Sequence, residues 1–386
     1  MKVYYWSPFI TEVATTYAVI NSIQSIHKFS KNQKINCKVI DVFKEWSPYK
    51  EVLRENSIET IDLNINLDIK KLPTRGFIKS RFTYILLFFF SILKLHKKIR
   101  KEEPDYLIIH LISYIPLFLL NIFDYKTKFI LRISGFPKIT FLRKFLWKIS
   151  NKKIYKIFCP TLNTKFKLIN NNIFSESKVH LVRDPVIDLN KTNIKRNHKL
   201  PLEYSWLKDK KFVLSIGRLS KQKNYKFLIN NFKKIIEKKS DLNLVILGHG
   251  EDKYILEKLI KKKELSNKVF LLGYQKNIYP FIENSLFFVL TSDWEDPGFV
   301  ILESMFSRKI ILSSNCESGP KEIIINNKNG FLYETRDDND FLDKFFKVLN
   351  FIEDIKQKKK IIFYGLLTCK KFSQFGHFQQ IKKFLV

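Results

Sequence analysis

Two carboxylates, Glu295 and Glu303, flank a loop within LFFVLTSDWEDPGFVILE, the stretch from Leu286 to Glu303. If a helix begins near Pro297, Glu303 lies one turn below Phe299 and Val300 on the same face, so both acids can border one cavity. A carboxylate set among Val300, Ile301, Leu302 and Met305 is costly to bury without a hydrogen-bond partner. The same turn offers an anion the free N–H groups and positive end of a helix start, and Gly298 lets a ligand approach the backbone closely. The plainer alternative leaves Glu303 in solvent and Glu295 as a helix cap.

The elements that must position these groups are legible around them. LFFVL is short, apolar and aromatic, as a buried strand should be, and it stops at the polar Thr291, Ser292 and Asp293. Pro297 and Gly298 mark a loop, and the apolar spacing from Phe299 to Phe306 predicts a helix. The pattern recurs. FVLSIGRLSKQKN is a strand ending at Gly217, NLVILGHGED a strand ending at Gly248 and Gly250, and KVFLLGYQKN a strand followed by Gly273, Tyr274 and Gln275. IILSSN runs into Ser318, Gly319 and Pro320. In the first half, strands are predicted over Lys2–Tyr5, Cys37–Phe43 and Tyr106–His110, and within KFILRISGFP and KIFCPT. Helices are predicted over Thr11–His27 and Phe77–Arg100, the latter broken by Pro104. Strands alternating with helices imply parallel, doubly wound sheets.

EDPGFVILES, followed by SSNCESGPKEII and NGFLY, resembles the donor-site signature of retaining glycosyltransferase family 4, of bacterial surface-polysaccharide type. The resemblance is specific from about Phe212 to Tyr333. It implies an α/β fold of GT-B type, with two doubly wound Rossmann-like domains facing a central cleft. It implies a metal-independent transferase that needs no cofactor and takes a nucleotide-diphosphate sugar as co-substrate. By resemblance Glu295 lies by the transferred sugar, Glu303 binds the nucleotide ribose, and the N–H groups around Gly298, Phe299 and Val300 hold sugar hydroxyls and phosphate oxygens. GRL…K places Arg218 and Lys223 over the two phosphates, where fixed cations stabilise the charge that develops as the sugar leaves. Gly248 and Gly250 fall beside the donor, and Tyr274 and Gln275 in the loop that meets the base.

Family members often carry a histidine near the transferred sugar, after a strand resembling KFILRIS. Here Ser134 and Gly135 occupy that place. His110, at another strand end, is the candidate instead, with a satisfied core histidine as the alternative and Arg132 and Ser134 as further candidates. WSPFITE stands where the family often has a glycine-rich acceptor loop. The expected organisation is an acceptor-binding domain over 1–188, a linker over 189–210, a donor-binding domain over 211–365, and a tail from about 366 to 386 packing back on the first domain. Asp338, Asn339 and Asp340 form a D-x-D that other glycosyltransferases use for metal. They precede a helical pattern and are assigned to its N-terminus, so no metal site is expected.

The remaining composition narrows the partners. A 45% hydrophobic, 27% charged chain of 386 residues can fill more than one core and is not disordered. Cys37, Cys159, Cys316 and Cys369 are far apart, which argues against a disulfide framework or metal cage. MKVYYWSPFI lacks the pattern of a secretion signal, and the longest apolar run, YILLFFFSIL from Tyr84, falls short of the roughly 20 residues needed to span a bilayer. The net charge is +32; Ile69–Lys101 holds ten Lys or Arg and Tyr125–Ser175 twelve, neither with an acid. The first run flanks the apolar one, which favours an anionic membrane surface over nucleic acid. The expected location is cytoplasmic, peripheral on the inner face of the membrane, with a lipid-linked saccharide as acceptor. The rival readings are a basic nucleic-acid-binding protein, for which no groove-reading motif appears, and a GT-B epimerase or phosphorylase, against which the Glu295–Glu303 loop argues.

Overall fold

The computed structural model describes residues 1–10, 14–30, 34–65 and 77–385. The opening of the helix expected from Thr11, the end of WSPFITE, and the start of the basic run at Ile69 lie outside the described residues. The chain forms two compact units, Met1–Pro185 with Gln374–Val386, and Val186–Ser373.

The first unit holds strands β1 (Lys2–Trp6), β2 (Asn36–Asp41), β3 (Glu59–Asp62), β4 (Tyr106–Ile109), β5 (Lys128–Arg132), β6 (Lys156–Cys159) and β7 (Val179–Leu181). They form one parallel sheet in the order β3-β2-β1-β4-β5-β6-β7. Successive strand side chains point to opposite faces, so Val3 and Tyr5 enter one apolar layer and Tyr4 and Trp6 the other. Both faces of the central strands are covered, which is why β4, YLII, reads as a continuous apolar run, while the edge strand β3, ETID, does not.

Helices Phe77–Glu102, Tyr114–Ile122 and Phe141–Ser150 contribute Leu87, Leu95, Leu117 and Trp147 to one layer. The opposite layer takes Val19, Ile23 and Ile26 from helix Ala14–Phe29, and Ile381 and Leu385 from the returning segment. There Ser25 Oγ donates to Gln374 O at 2.6 Å, and Gln374 Nε2 to Gln24 Oε1 at 2.8 Å.

The second unit repeats the plan with β8 (Lys211–Ile216), β9 (Leu242–Leu247), β10 (Val269–Leu271), β11 (Phe288–Leu290), β12 (Ile311–Ser314) and β13 (Phe331–Tyr333). This sheet is also parallel, in the order β10-β9-β8-β11-β12-β13. In each sheet the winding direction reverses once, between β1 and β4 and between β8 and β11. Such switch points leave a crevice beyond the strand ends where ligands bind.

Two boundaries differ from the sequence expectation. Residues 189–210 are not an extended linker: Leu189–Arg196 is a helix capped by the Asp188 side chain, and Leu202–Asp209 is a 3₁₀ helix. Leu200 and Leu207 are buried in the second unit, and the ring of Trp206 meets Phe270 edge-on at 4.7 Å. Those few apolar residues follow no regular period, so the polar composition hid their anchoring. The return to the first unit begins at Gln374 rather than near residue 366. Helix Ile355–Lys371 keeps Cys369 within reach of Leu302 O, at 3.4 Å, and so holds 366–373 in the second unit.

Candidate active site at the strand tips of the second unit

Beyond β8 the chain turns at Gly217 and passes through a 3₁₀ turn, Lys221–Lys223. A Cβ on Gly217 would come within 2.6 Å of Lys223 Cε, so the lysine stem crosses over the space that glycine leaves open. The Lys223 ammonium pairs with Glu295 Oε1; the glutamate is buried and the lysine nearly so, at 6% and 12% exposure. Ser292 Oγ donates to that same oxygen at 2.6 Å, and Ser314 Oγ donates to Ser292 O, also at 2.6 Å. The tips of β8, β11 and β12 thus share one chain of hydrogen bonds. A buried charge pair of this kind is sustained only when its remaining lone pairs are also satisfied, and Ser292 helps to do that.

Backbone contacts fasten the two loops. Asp293 N donates to Gln222 O at 2.8 Å, Gln222 Nε2 to Trp294 O at 2.8 Å, and Thr291 Oγ1 to Lys223 O at 3.0 Å. Asp293 accepts from Asn224 Nδ2 at 3.1 Å and from Arg336 twice, at 3.0 Å and 2.8 Å, a two-pronged grip matched to a carboxylate. Gly298, at φ 85°, is the residue before helix Phe299–Phe306; the first N–H groups, those of Phe299 and Val300, have no intrahelical acceptor, while Ile301 N donates to Gly298 O at 3.1 Å. The segment after β12 presses on this loop: Ser318 bridges Glu295, and a Cβ on Gly319 would lie 1.9 Å from Pro297 O.

The other expected residues fall in distinct places. Arg218 is exposed beside Gly217 and makes no ion pair among the described residues. Gly248 N donates to Gly273 O at 2.8 Å, and Leu219 N to His249 O at 3.0 Å, so the tips of β8, β9 and β10 are laced as well, with Gly250 packed on Leu219. Tyr274 is exposed and edge-on to His249. The Gln275 side chain turns inward, donating to Leu272 O at 2.9 Å and to Tyr204 Oη at 3.1 Å.

Glu303 is half-buried in different company from Glu295. Burial pushes its carboxyl up to about 7 against the opposing pull of Lys195. Burial and the Glu303 charge together raise the Tyr279 phenol. The two acids therefore differ in kind: Glu295 is locked in an ion pair, and Glu303 sits ready to take a hydrogen bond or a proton near neutrality.

His110 belongs to the first unit, just past β4. It is buried, its Nδ1 has no hydrogen-bond partner among the described residues, and burial with the Arg132 and His377 charges holds its pKa far down. It lines a cavity of about 760 Å³ at that unit's switch point, together with Phe9, Tyr114, Arg132, Ser134 and Arg143. Arg132 is itself engaged, in a buried pair with Asp184 and a 2.6 Å bond to Ile133 O. His110 is thus more than a satisfied core histidine, and Arg132 less than a free cation.

At the D-x-D, Asp337 is the cap, accepting from Asn339 N and Asp340 N, while Asp338 accepts from Asn231 and pairs with Lys234 at 2.9 Å. Among the described residues no group of three or more His, Cys, Asp or Glu is placed to hold a metal. Sequence reasoning did not single out Ser292, Ser314, Asp293 or Gly319 for these contacts. The signal was present in TSD and SSN, polar triplets that each close a strand at the same sheet edge.

The sequence family described as Glycosyl transferases group 1 matches residues 199–365. An uncharacterized glycosyltransferase of Methanocaldococcus jannaschii is 35% identical over 271 residues, spanning 62% of this chain and 63% of its own length. N-acetylgalactosamine-N,N'-diacetylbacillosaminyl-diphospho-undecaprenol 4-alpha-N-acetylgalactosaminyltransferase of Campylobacter jejuni is 30% identical over 265 residues, spanning 67% of this chain and 69% of the relative. Among solved structures, Anabaena HepE in complex with UDP superposes with a TM-score of 0.75 at 14% identity, covering 100% of this chain and 99% of that one. With these relatives and two doubly wound sheets, the chain is a GT-B protein and belongs to the group 1 glycosyltransferase family.

Proposed function

We propose that the protein transfers a sugar from a nucleotide-diphosphate donor to a lipid-linked saccharide, with retention of anomeric configuration, during polysaccharide or glycan assembly. The observation that carries the donor reading is the Lys223–Glu295 pair at the β8/β11 switch point, beside the open N-terminus of helix Phe299–Phe306. A diphosphate lying there meets Arg218, Lys223 and the helix N–H groups, and the ribose hydroxyls donate to Glu303. HepE was solved with UDP, which supports a nucleoside diphosphate as the ligand class.

In the reaction the bond from the sugar's anomeric carbon to the phosphate oxygen breaks, and its electron pair stays on the diphosphate. Arg218 and Lys223 stabilise that charge as it forms. The anomeric carbon, oxocarbenium-like at this point, accepts the acceptor hydroxyl on the same face, and the hydroxyl proton passes to the departing phosphate. Glu295 holds Lys223 in place and borders the sugar. The first unit's cavity, with His110 on its wall, is assigned to the acceptor side.

The Campylobacter relative is named for a diphospho-undecaprenol substrate. That name, and the cation-edged apolar run from Tyr84, support an acceptor on the inner face of the membrane. No helix among the described residues is long and apolar enough to cross a membrane.

A thermal-shift screen over UDP-, GDP- and ADP-sugars tests the donor reading, because a ligand that binds only the folded state raises its apparent stability. One nucleotide class should raise the melting temperature of the wild type and not of Lys223→Ala. An equal rise in both proteins refutes the role given to Lys223.

A further inference from the structure

We propose that the outward face of helices Phe77–Glu102, Tyr114–Ile122 and Phe141–Ser150 is the surface by which the protein lies on an anionic lipid bilayer. This deepens the membrane reading above by naming the contact, and it does not depend on the donor chemistry.

On helix Phe77–Glu102, the side chains at Leu87, Ser91, Leu95 and Ile99, four apart, face inward and are buried. A second four-apart stripe, Ile85, Phe89 and Leu93, faces out. Helix Phe141–Ser150 does the same, with Trp147 and Ser150 buried and Phe141, Phe145 and Ile149 outward. Across the two outward stripes exposure runs from 41% to 83%. Residues four apart share a helix face, so each helix is apolar on both sides. Between them helix Tyr114–Ile122 exposes Phe118 and Ile122.

The three helices are in contact. Phe88 packs edge-on against Phe118 at 5.2 Å, Tyr114 Oη donates to Tyr84 O at 2.6 Å, and Asn121 Nδ2 donates to Ser150 Oγ at 2.7 Å. The outward stripes therefore form one face on a single layer. An exposed apolar patch built from several elements marks an interaction site.

Charge selects the occupant. Lys94, Lys97, Lys138, Arg143 and Lys148 are exposed on or beside these helices, and no acid occurs between Tyr125 and Ser175. A second copy would bring the same cations against this face and be repelled, in a chain of net charge +32. Anionic headgroups complement the cations while the aromatic stripes enter the headgroup and acyl boundary, as with interfacial amphipathic helices. The same helices supply Tyr84, Tyr114, Leu142 and Arg143 to the wall of the 760 Å³ cavity. A lipid-borne acceptor reaches that cavity while its chain stays in the bilayer.

Flotation of the full chain with vesicles of phosphatidylcholine, alone or mixed with phosphatidylglycerol, tests this. The wild type should float with the anionic vesicles and less so as salt rises. Phe89→Ser/Phe145→Ser, at two positions that do not line the cavity or the donor loops, should lose binding by about tenfold or more and keep the wild-type nucleotide-induced thermal shift. Lys148→Glu should reduce binding to anionic vesicles only.

If the double variant floats as well as the wild type, the contact lies elsewhere and this surface is refuted. If the wild type itself does not float, the membrane reading falls too. Concentration-dependent dimerisation that the double variant abolishes makes the face a self-association surface and overturns the proposal. A wild type that floats but shows no nucleotide shift sinks the donor reading and leaves this one standing.

Discussion

The two switch points are built from different materials. At β8/β11 the loops are fastened by bonds that end on backbone oxygens, Asp293 N to Gln222 O, Gln222 Nε2 to Trp294 O and Thr291 Oγ1 to Lys223 O, and Gly217, Gly248 and Gly319 admit neighbours that a Cβ would strike. At β1/β4 the corresponding cavity is lined by Phe9, Tyr114 and Trp147 among others, beside a buried polar group of His110, Arg132, Asp184 and His377. On the proposed donor reading, the group held here is a diphosphate, the same object in every donor, and a rigid cradle suits it. A cavity walled by side chains can be reshaped by substitution without refolding the strand tips, which suits a partner that varies among related enzymes.

Gly319→Ala should break the contrast most severely. Its Cβ would sit 1.9 Å from a backbone oxygen that has nowhere to go, so we expect loss of transfer and a fall in melting temperature of roughly 5 °C or more. Gly273→Ala faces open space and carries only the strain of its positive φ of 72°, roughly 1–2 kcal/mol. Equal effects in calorimetry would mean that close approach does not govern this edge.

Next come the two buried ion pairs. Lys223→Met and Arg132→Met each strand a carboxylate, Glu295 or Asp184, at a cost of order 3 kcal/mol. Only Lys223→Met should also abolish the nucleotide-induced thermal shift. An Arg132→Met protein that folds but fails to bind nucleotide would erase the distinction between the units.

The smallest effect is a divergence with pH, readable by hydrogen exchange in each unit. His377 donates from Nδ1 to Arg183 O at 2.7 Å and accepts from Ser22 at Nε2, and burial holds its pKa to about 4 against 6.5 for a free histidine. The unfolded chain takes up that proton first, so the surroundings of His377 lose stability as pH falls from 6.5 towards 4. Glu303 is shifted the other way, to about 7 from 4.5, so its cost accrues as pH rises through that interval. Acidification from pH 7 to 5 should loosen the surroundings of His377 and firm those of Glu303, and Glu303→Gln should remove the second trend. Slopes of one sign at amides around His377 and around Glu303 would contradict this. Nucleotide binding adds a sharper test: if ribose hydroxyls donate to Glu303, binding favours the ionised carboxylate, and affinity should rise with pH through 7.

These contrasts also explain what could be read in advance. The second sheet was legible because each of its strands runs directly into its own polar loop, so FVLSIG, NLVILG and FFVLTS announce element and site together. The company of Glu303 was not, since Tyr279 and Lys195 are joined to it only by folding. Leu200 and Leu207 were lost in a polar stretch for want of a period. In the first unit, ILLFFFSIL was visible as an apolar run, but Phe141, Phe145 and Ile149 are interleaved with Arg143, Lys144 and Lys148 and read only as part of a basic segment. Which side of that helix meets the core depends on where Trp147 lands, and that is a property of the sheet beneath it.

The segment that returns to the first unit has a consequence for synthesis. Ile381 and Leu385 seal one apolar layer, and His377 and Gln374 satisfy Ser22, Gln24 and Ser25 on the helix from Ala14. All of these follow the whole second unit along the chain. On the ribosome, the half that is made first must wait with an open flank, and the half that is made later can close before it.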